Sequence, residues 1–289
     1  MRTLGYLASG LLLLWSCGQT LTAVASPPSA GKPPLHITVL NPAEEGHPFW
    51  DMLIGFMQEA AADLNVELEV LYGNSNRFRT TEQARAVLQR TDKPDYLLFN
   101  YFFSQGSHIL QAAEEAGVYS VIFNTDIPQT EATATGRPGQ NYQYWIGRIV
   151  PDEQQAGYDL AMQLRREGTQ RGFQDDLQQL QIIAISGMRD ATATTLRNQG
   201  LLDAVSQHPD LHLQQLLFAN WSADTAATQA AALLQRYPRA RLIWSASDTM
   251  ALAALQSVAA RQLTPGEQVL AVGFDWTTDA LQAIRDGRL

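Results

Sequence analysis

The chain has 289 residues, 45% of them hydrophobic, and a formal net charge of −9. That length and apolar content can bury the core of one large or two medium α/β domains. With 20 basic against 29 acidic side chains, the composition argues against a nucleic-acid surface, which needs clustered Lys and Arg.

Residues 1–25 read as an export signal: a short basic start at Met1-Arg2-Thr3, an apolar stretch from Leu4 to Trp15 too short to span a bilayer, and Ala23-Val24-Ala25 as a cleavage site before Ser26. Residues 26–34, rich in Pro, Ser and Gly, then form a linker. Leu14-Trp15-Ser16-Cys17 also fits a lipoprotein box, in which Cys17 is lipidated and the linker becomes a tether; both routes stay open. Cys17 is the only cysteine, so the folded part has no disulfide and no thiol chemistry.

From Leu35 the chain alternates. Val-, Ile- and Leu-rich runs predict strands at 35–40, 66–72, 95–99 and 119–123, each followed by a longer run with helical spacing. After the Gly-, Pro- and Thr-rich segment 128–141 and the extended run YWIGRIV, a second series begins. It predicts a helix over 152–167 and strands near 181–185, 211–218, 241–245 and 268–274, with RREGTQRGFQDDLQQLQ as a surface loop. Continuous apolar strands between helices fit parallel sheets covered on both faces. The fold class is therefore α/β, with two doubly wound parallel-sheet lobes, 35–147 and 148–289, joined near residue 147.

The apolar runs end in polar residues: Asn41, Asn100, Asn124, Ser186, Asn220, Ser245 with Ser247 and Asp248, and Asp275. In an open parallel sheet those carboxyl ends face the crevice where ligands bind. Short polar residues also start turns and cap helices at such junctions, so each one alone is open between two roles. Capping does not call for Trp276 after Asp275, Trp221 after Asn220, or the adjacent Phe49 and Trp50 of GHPFW. Polar groups beside aromatic rings suit a carbohydrate, which offers an apolar ring face and a rim of hydroxyls. The chain has no GxSxG, GxxxxGK[ST], CxxC or HExxH, and its five histidines show no metal-ligand spacing. Neither catalysis nor a metal or other cofactor is expected.

The order LNPAEEGHPFW, VIFN, ISGMRDATATTLRNQGLLDAV, SASDTMALAAL and VGFDWTTDALQAIRDGRL resembles the type I periplasmic binding proteins over nearly everything from Leu35 to Leu289. The resemblance implies a periplasmic monomer of two similar lobes with a hinge crossed three times and a sugar or similar small polyhydroxy ligand enclosed between them. It also implies delivery to the permease of an ABC importer or, in sensory relatives, to a membrane kinase or chemoreceptor. By resemblance, Phe49 and Trp50 form an aromatic wall against the sugar ring, with His47 where Asn is more usual; the alternative for both rings is burial in the helix–sheet core. Arg197, three residues before Gly200, would bind two hydroxyls with its fork, the alternative being an ordinary helix-surface charge. Asp275 would accept hydroxyl hydrogens, the alternative being a helix cap, and Trp221 would face the ligand from the second lobe. Two departures, Ser247 for an Asn before Asp248 and Asn124-Thr125-Asp126 for an Asp-Arg pair, point away from a ribose-like ligand but leave the class intact. The family continues past the stretch resembling AIRDGRL with a further strand and a final segment, so the chain is expected to be an incomplete domain.

Overall fold

The computed structural model describes residues 33–289; the expected export signal, the lipid-anchor alternative on Cys17 and linker residues 26–32 lie outside the described residues. The first series of elements runs β1 (Leu35–Asn41), α1 (Pro48–Asp63), β2 (Val66–Tyr72), α2 (Arg77–Leu88), β3 (Tyr96–Phe99), α3 (Gly106–Ala116), β4 (Tyr119–Phe123), α4 (Gln129–Thr135) and β5 (Trp145–Ile149). The second runs α5 (Glu153–Gln170), β6 (Leu180–Ser186), α6 (Thr192–Gln207), β7 (Leu211–Phe218), α7 (Ala223–Arg236), β8 (Leu242–Ser245), α8 (Asp248–Ala260), β9 (Leu270–Val272) and α9 (Thr278–Arg285). All strand pairings are parallel, in a five-stranded sheet ordered β2-β1-β3-β4-β5 and a four-stranded sheet ordered β7-β6-β8-β9. These are the two doubly wound sheets expected from the alternation, and β5 straddles residue 147, carrying the first sheet to Ile149.

Successive residues of a strand point to opposite faces, and β1 shows why apolar residues are needed on both. Leu40 packs with Leu97, Phe99, Ile109 and Trp145 on one face, while Val39 packs with Trp50, Ile54 and Phe123 on the other. In the second sheet Ile182, Ile183, Ala184 and Ile185 are all fully buried for the same reason. Helix starts are set locally: Ser222 Oγ, Ser247 Oγ and Thr277 Oγ1 accept the backbone N–H groups of Thr225, Met250 and Ala280, capping α7, α8 and α9.

Two local expectations need correction, and one segment gains a short helix. The first six residues of RREGTQRGFQDDLQQLQ belong to α5, because Ala161, Leu164 and Gly168 form a buried stripe on that helix. A Cβ on Gly168 would lie only 3.1 Å from Leu180, so the helix continues as long as the sheet supports it. The segment 128–141 contains α4, bounded by Pro128 and Gly136. The last strand is shorter than 268–274, because Phe274 turns its carbonyl out of the sheet to accept the N–H of Asp248 at 2.7 Å.

The helix pair α5–α6 is packed backbone to backbone. A Cβ on Gly157 would meet the carbonyl oxygen of Arg197, and one on Gly200 would meet that of Gln154. This crossing brings the first turn of α5 against Arg197.

Candidate functional site

Two contacts join the sheets at their carboxyl ends. The backbone N–H of Asp126, just past β4, donates to Thr192 Oγ1 at 3.0 Å, and that hydroxyl donates back to the Asp126 carbonyl at 3.2 Å. Arg77, at the start of α2, meets Asp190, in the turn after β6, at 2.7 Å. The carboxyl ends of both sheets therefore face each other, where a doubly wound fold binds its ligands. The Arg77–Asp190 pair is about a third exposed, so Asp190→Ala is expected to change the unfolding free energy by less than about 1 kcal/mol, read from urea denaturation.

Arg197 is the centre of the second-sheet half. Only 4% exposed, it is not a helix-surface charge. Its Nε donates to Glu153 Oε2 at 2.5 Å, Nη2 to Glu153 Oε1 at 3.1 Å and Nη1 to the carbonyl of Ala246 at 2.5 Å. The guanidinium carbon lies 3.7 Å from the ring centre of Phe274, a cation–π stack, and 5.9 Å from that of Trp221. Asp275 stands beside it, with Oδ1 3.8 Å from Nη1. Burial pushes the Asp275 carboxyl up to about 8, against the pull of Arg197, and the nearby Asp248 adds to the rise. Asp275 is not a helix cap, since Thr277 caps α9.

Asp248, buried at the start of α8, accepts the N–H of Thr277 at 2.9 Å and its hydroxyl at 3.2 Å. Burial raises its carboxyl too, opposed by those bonds. Ser247 serves as the α8 cap. Trp221 is half-buried, and a Cβ on Gly187 would run into its ring, so that glycine is the floor on which the indole lies. Trp276, by contrast, is 78% exposed, and the structure does not gather it with the others. Its φ is 64° and that of Asp275 is 128°, and this pair of unusual conformations turns the adjacent side chains into different surroundings.

On the first sheet, Asn41 is fully buried; its Oδ1 accepts the N–H of Ala43 at 3.0 Å while its Nδ2 has no protein partner. Asn100 is likewise fully buried, accepting from Thr125 Oγ1 and Asn124 Nδ2, and its own Nδ2 also lacks a partner. His47 Nδ1 is buried without a partner, and burial lowers its pKa against the opposing charge of Glu44. Asp126 ion-pairs with Arg148 at 2.6 Å. For the aromatic pair the contacts are those of the burial reading. Trp50, 9% exposed, meets Phe123 and Phe49 edge to face within the first-sheet core, and Phe49 packs half-buried against that cluster.

Sequence reasoning missed Glu153, Phe274 and Thr194. Glu153 follows the capping residue Asp152, so it looks like an acid complementing a helix N-terminus. Phe274 sits in GFDW between a glycine and the charged Asp275, where an aromatic residue reads as ordinary strand-end packing. Thr194 is fully buried with an unpartnered hydroxyl, for which the sequence carries no signal. Among the described residues no group of three or more His, Cys, Asp or Glu could hold a metal ion. An open hollow of about 700 Å³ along α5, lined by residues such as Asp159, Met162 and Arg165, shares no residue with this group.

Residues 37–289 match the periplasmic binding protein domain family. Over 283 residues, 98% of this chain and 84% of the relative, the chain is 22% identical to the ribose import binding protein RbsB of Bacillus subtilis (strain 168). It is also 22% identical to the D-apiose import binding protein of Paraburkholderia graminis, over 86% of this chain and 72% of that protein. Among solved structures it is similar to a periplasmic sugar-binding protein from Pseudomonas fluorescens, with a TM-score of 0.78 and 34% identity over 88% of this chain and 73% of that one.

Proposed function

The chain belongs to the periplasmic binding protein family, and on that footing we propose that it encloses a carbohydrate or similar small polyhydroxy compound between its two sheets and delivers it to an ABC importer. The observation that carries this reading is the set of polar groups gathered at the facing carboxyl ends of the two sheets, on strand ends and on the first turns of α6. Asn41 Nδ2, Asn100 Nδ2 and Thr194 Oγ1 are buried hydrogen-bonding atoms without protein partners, and Asp275 is a buried acid whose neighbour Arg197 is already bonded elsewhere. A buried polar atom left unpaired costs about 1–3 kcal/mol, so a ligand carrying several hydroxyls is the complement these positions call for. Half-buried Phe49 and Trp221 supply apolar faces of the kind a sugar ring stacks on. The relatives support the transport class, since they are named as sugar import binding proteins.

In this reading the binding groups are Asn41, His47, Phe49, Trp50, Asn100, Asn124, Arg197, Trp221, Asp248 and Asp275, with Asp126 and Ser247 closing the edge. The protein works as a monomer whose lobes, divided near residue 147, close on the ligand. It reaches the periplasm by a cleaved leader ending at Ala25, or is held there by a lipid on Cys17.

A thermal-shift screen of the mature protein against sugars and polyols tests the reading. A ligand held at a hundredfold its Kd is expected to add about 2.7 kcal/mol of stability. Asp275→Ala is then expected to weaken its binding by about 1–3 kcal/mol in calorimetry, because the ligand hydroxyls lose their acceptor. A screen in which no polyhydroxy compound raises the melting temperature would remove the proposal.

A further inference from the structure

We propose that Glu153 is a positioning residue of this site: it holds the Nε–Nη2 edge of Arg197 so that only the end of the fork faces the ligand. What the fork faces rests on the polyhydroxy-ligand reading above; the hold on Arg197 concerns the empty protein alone.

A guanidinium has five N–H donors. Glu153 takes the one on Nε and one on Nη2, and the Ala246 carbonyl takes one on Nη1. One N–H on each terminal nitrogen is left. The ring of Phe274 under the planar group removes the remaining freedom to tilt. Glu153 itself is 3% exposed and spends both oxygens on Arg197. Its position is not adjustable, because Gly157, one turn further along α5, lies against the backbone of Arg197, and Gly200, one turn after Arg197, lies against that of Gln154. A carboxylate fixed to one edge of an arginine through two helices in backbone contact is a device for aiming the other end.

The charge balance follows from the same geometry. The charged groups acting on Asp275 are Arg197 from α6, Asp248 from the start of α8 and Glu153 from the start of α5. One cation thus faces three carboxyl groups. Arg197 gives Glu153 a bidentate contact and Asp275 only a 3.8 Å approach without a hydrogen bond, while Asp248 is bonded to Thr277. Burial therefore governs the Asp275 carboxyl, and its midpoint of about 8 leaves it protonated at neutral pH in the empty site. Stability from this group is full below its unfolded value near 3.8 and is lost as pH rises through about 8. A carboxylate accepts ligand hydroxyls better than a carboxylic acid, so binding expels the proton. Affinity for such a ligand should then strengthen by up to about tenfold per pH unit between pH 6 and 8.

The test compares wild type with Glu153→Gln and Glu153→Asp. Gln keeps the bulk and removes the charge; Asp keeps the charge and loses the reach. In the ligand-free proteins, the Asp275 carboxyl is titrated by carbon-13 NMR and the Arg197 Nε–H is followed in proton–nitrogen spectra. The protected Nε–H signal of wild type is expected to be lost in Glu153→Asp, and in Glu153→Gln the Asp275 midpoint is expected to fall only part of the way from about 8, because burial, the largest cause of the rise, remains. With D-ribose as probe, calorimetry at one pH should show weaker binding in both variants, because the fork of Arg197 is no longer aimed. A purely structural Glu153 would lower melting temperature and affinity but leave the protected Arg197 Nε–H signal in place in Glu153→Asp, which would overturn the proposal. If Glu153→Gln does not fold, an Arg197 Nε–H in wild type that exchanges freely with solvent would overturn it equally. Failure of D-ribose to bind counts against a ribose-like ligand, and the Arg197 Nε–H signal of the ligand-free proteins still decides the role of Glu153.

Discussion

Arg197→Ala is expected to cost about 3–5 kcal/mol of stability in urea denaturation, far more than removal of any exposed charge in this chain. The loss arises less from what the guanidinium contributes than from what it leaves behind. Glu153, 3% exposed and bonded through both oxygens to Arg197, would become a buried carboxylate without a cation. The Ala246 carbonyl and the Phe274 ring would lose their partner as well. The double variant Arg197→Met/Glu153→Leu separates these causes. An apolar pair of similar volume removes both desolvated charges and should recover most of the loss, while a ligand that needs the Arg197 fork would still fail to bind. A single variant losing under about 1 kcal/mol would mean that water reaches Glu153 and that the pair behaves as a surface ion pair.

Gly157→Ala is the second large effect, expected to cost about 3 kcal/mol and to lower the melting temperature by roughly 6–12 °C. Alanine is ordinarily the better helix residue by about 1 kcal/mol, so the sign must come from tertiary packing. The added methyl would meet the backbone carbonyl of Arg197, which cannot swing away as a side-chain end can. Gly55, in the middle of α1 with open space around it, provides the control. Gly55→Ala is expected to stabilise by about 0.5–1 kcal/mol through helix propensity alone. Equal effects of the two substitutions would show that α5 and α6 are not in backbone contact, and with that the fixed placement of Glu153 would fall.

The elements themselves were largely legible in the chain. LQIIAIS reads as a buried parallel strand because a strand covered on both faces needs apolar residues at nearly every position, while VELEVLY, at the sheet edge, alternates apolar residues with glutamates; both patterns are complete inside seven residues. The caps Ser222, Ser247 and Thr277 are equally local, since a side chain and a backbone N–H three residues on settle the matter between them. From there, the parallel order of strands placed Asn41, Asn100, Asp248 and Asp275 at the ends of the sheets that face each other.

The surroundings of those residues were decided elsewhere. TTLRNQG carries no mark that its arginine is buried, because the carboxylate that makes burial tolerable is 44 residues away on another helix. Glu153 in turn reads as a helix-start acid until α6 is laid against it. Asp275 and Trp276 are adjacent, yet one is enclosed beside Arg197 and the other stands in solvent, a division made by two positive φ angles. The extension of α5 to Gln170 likewise follows from Gly168 meeting Leu180 and Leu242, not from its own polar stretch. By itself the sequence determined the strands, the caps and the ends at which a ligand would be met, because periodicity and backbone hydrogen bonding are satisfied within a few residues. Which charges are paired, and which acid keeps its proton, only the tertiary structure decided, because compensating a buried charge depends on groups that chain neighbours cannot supply.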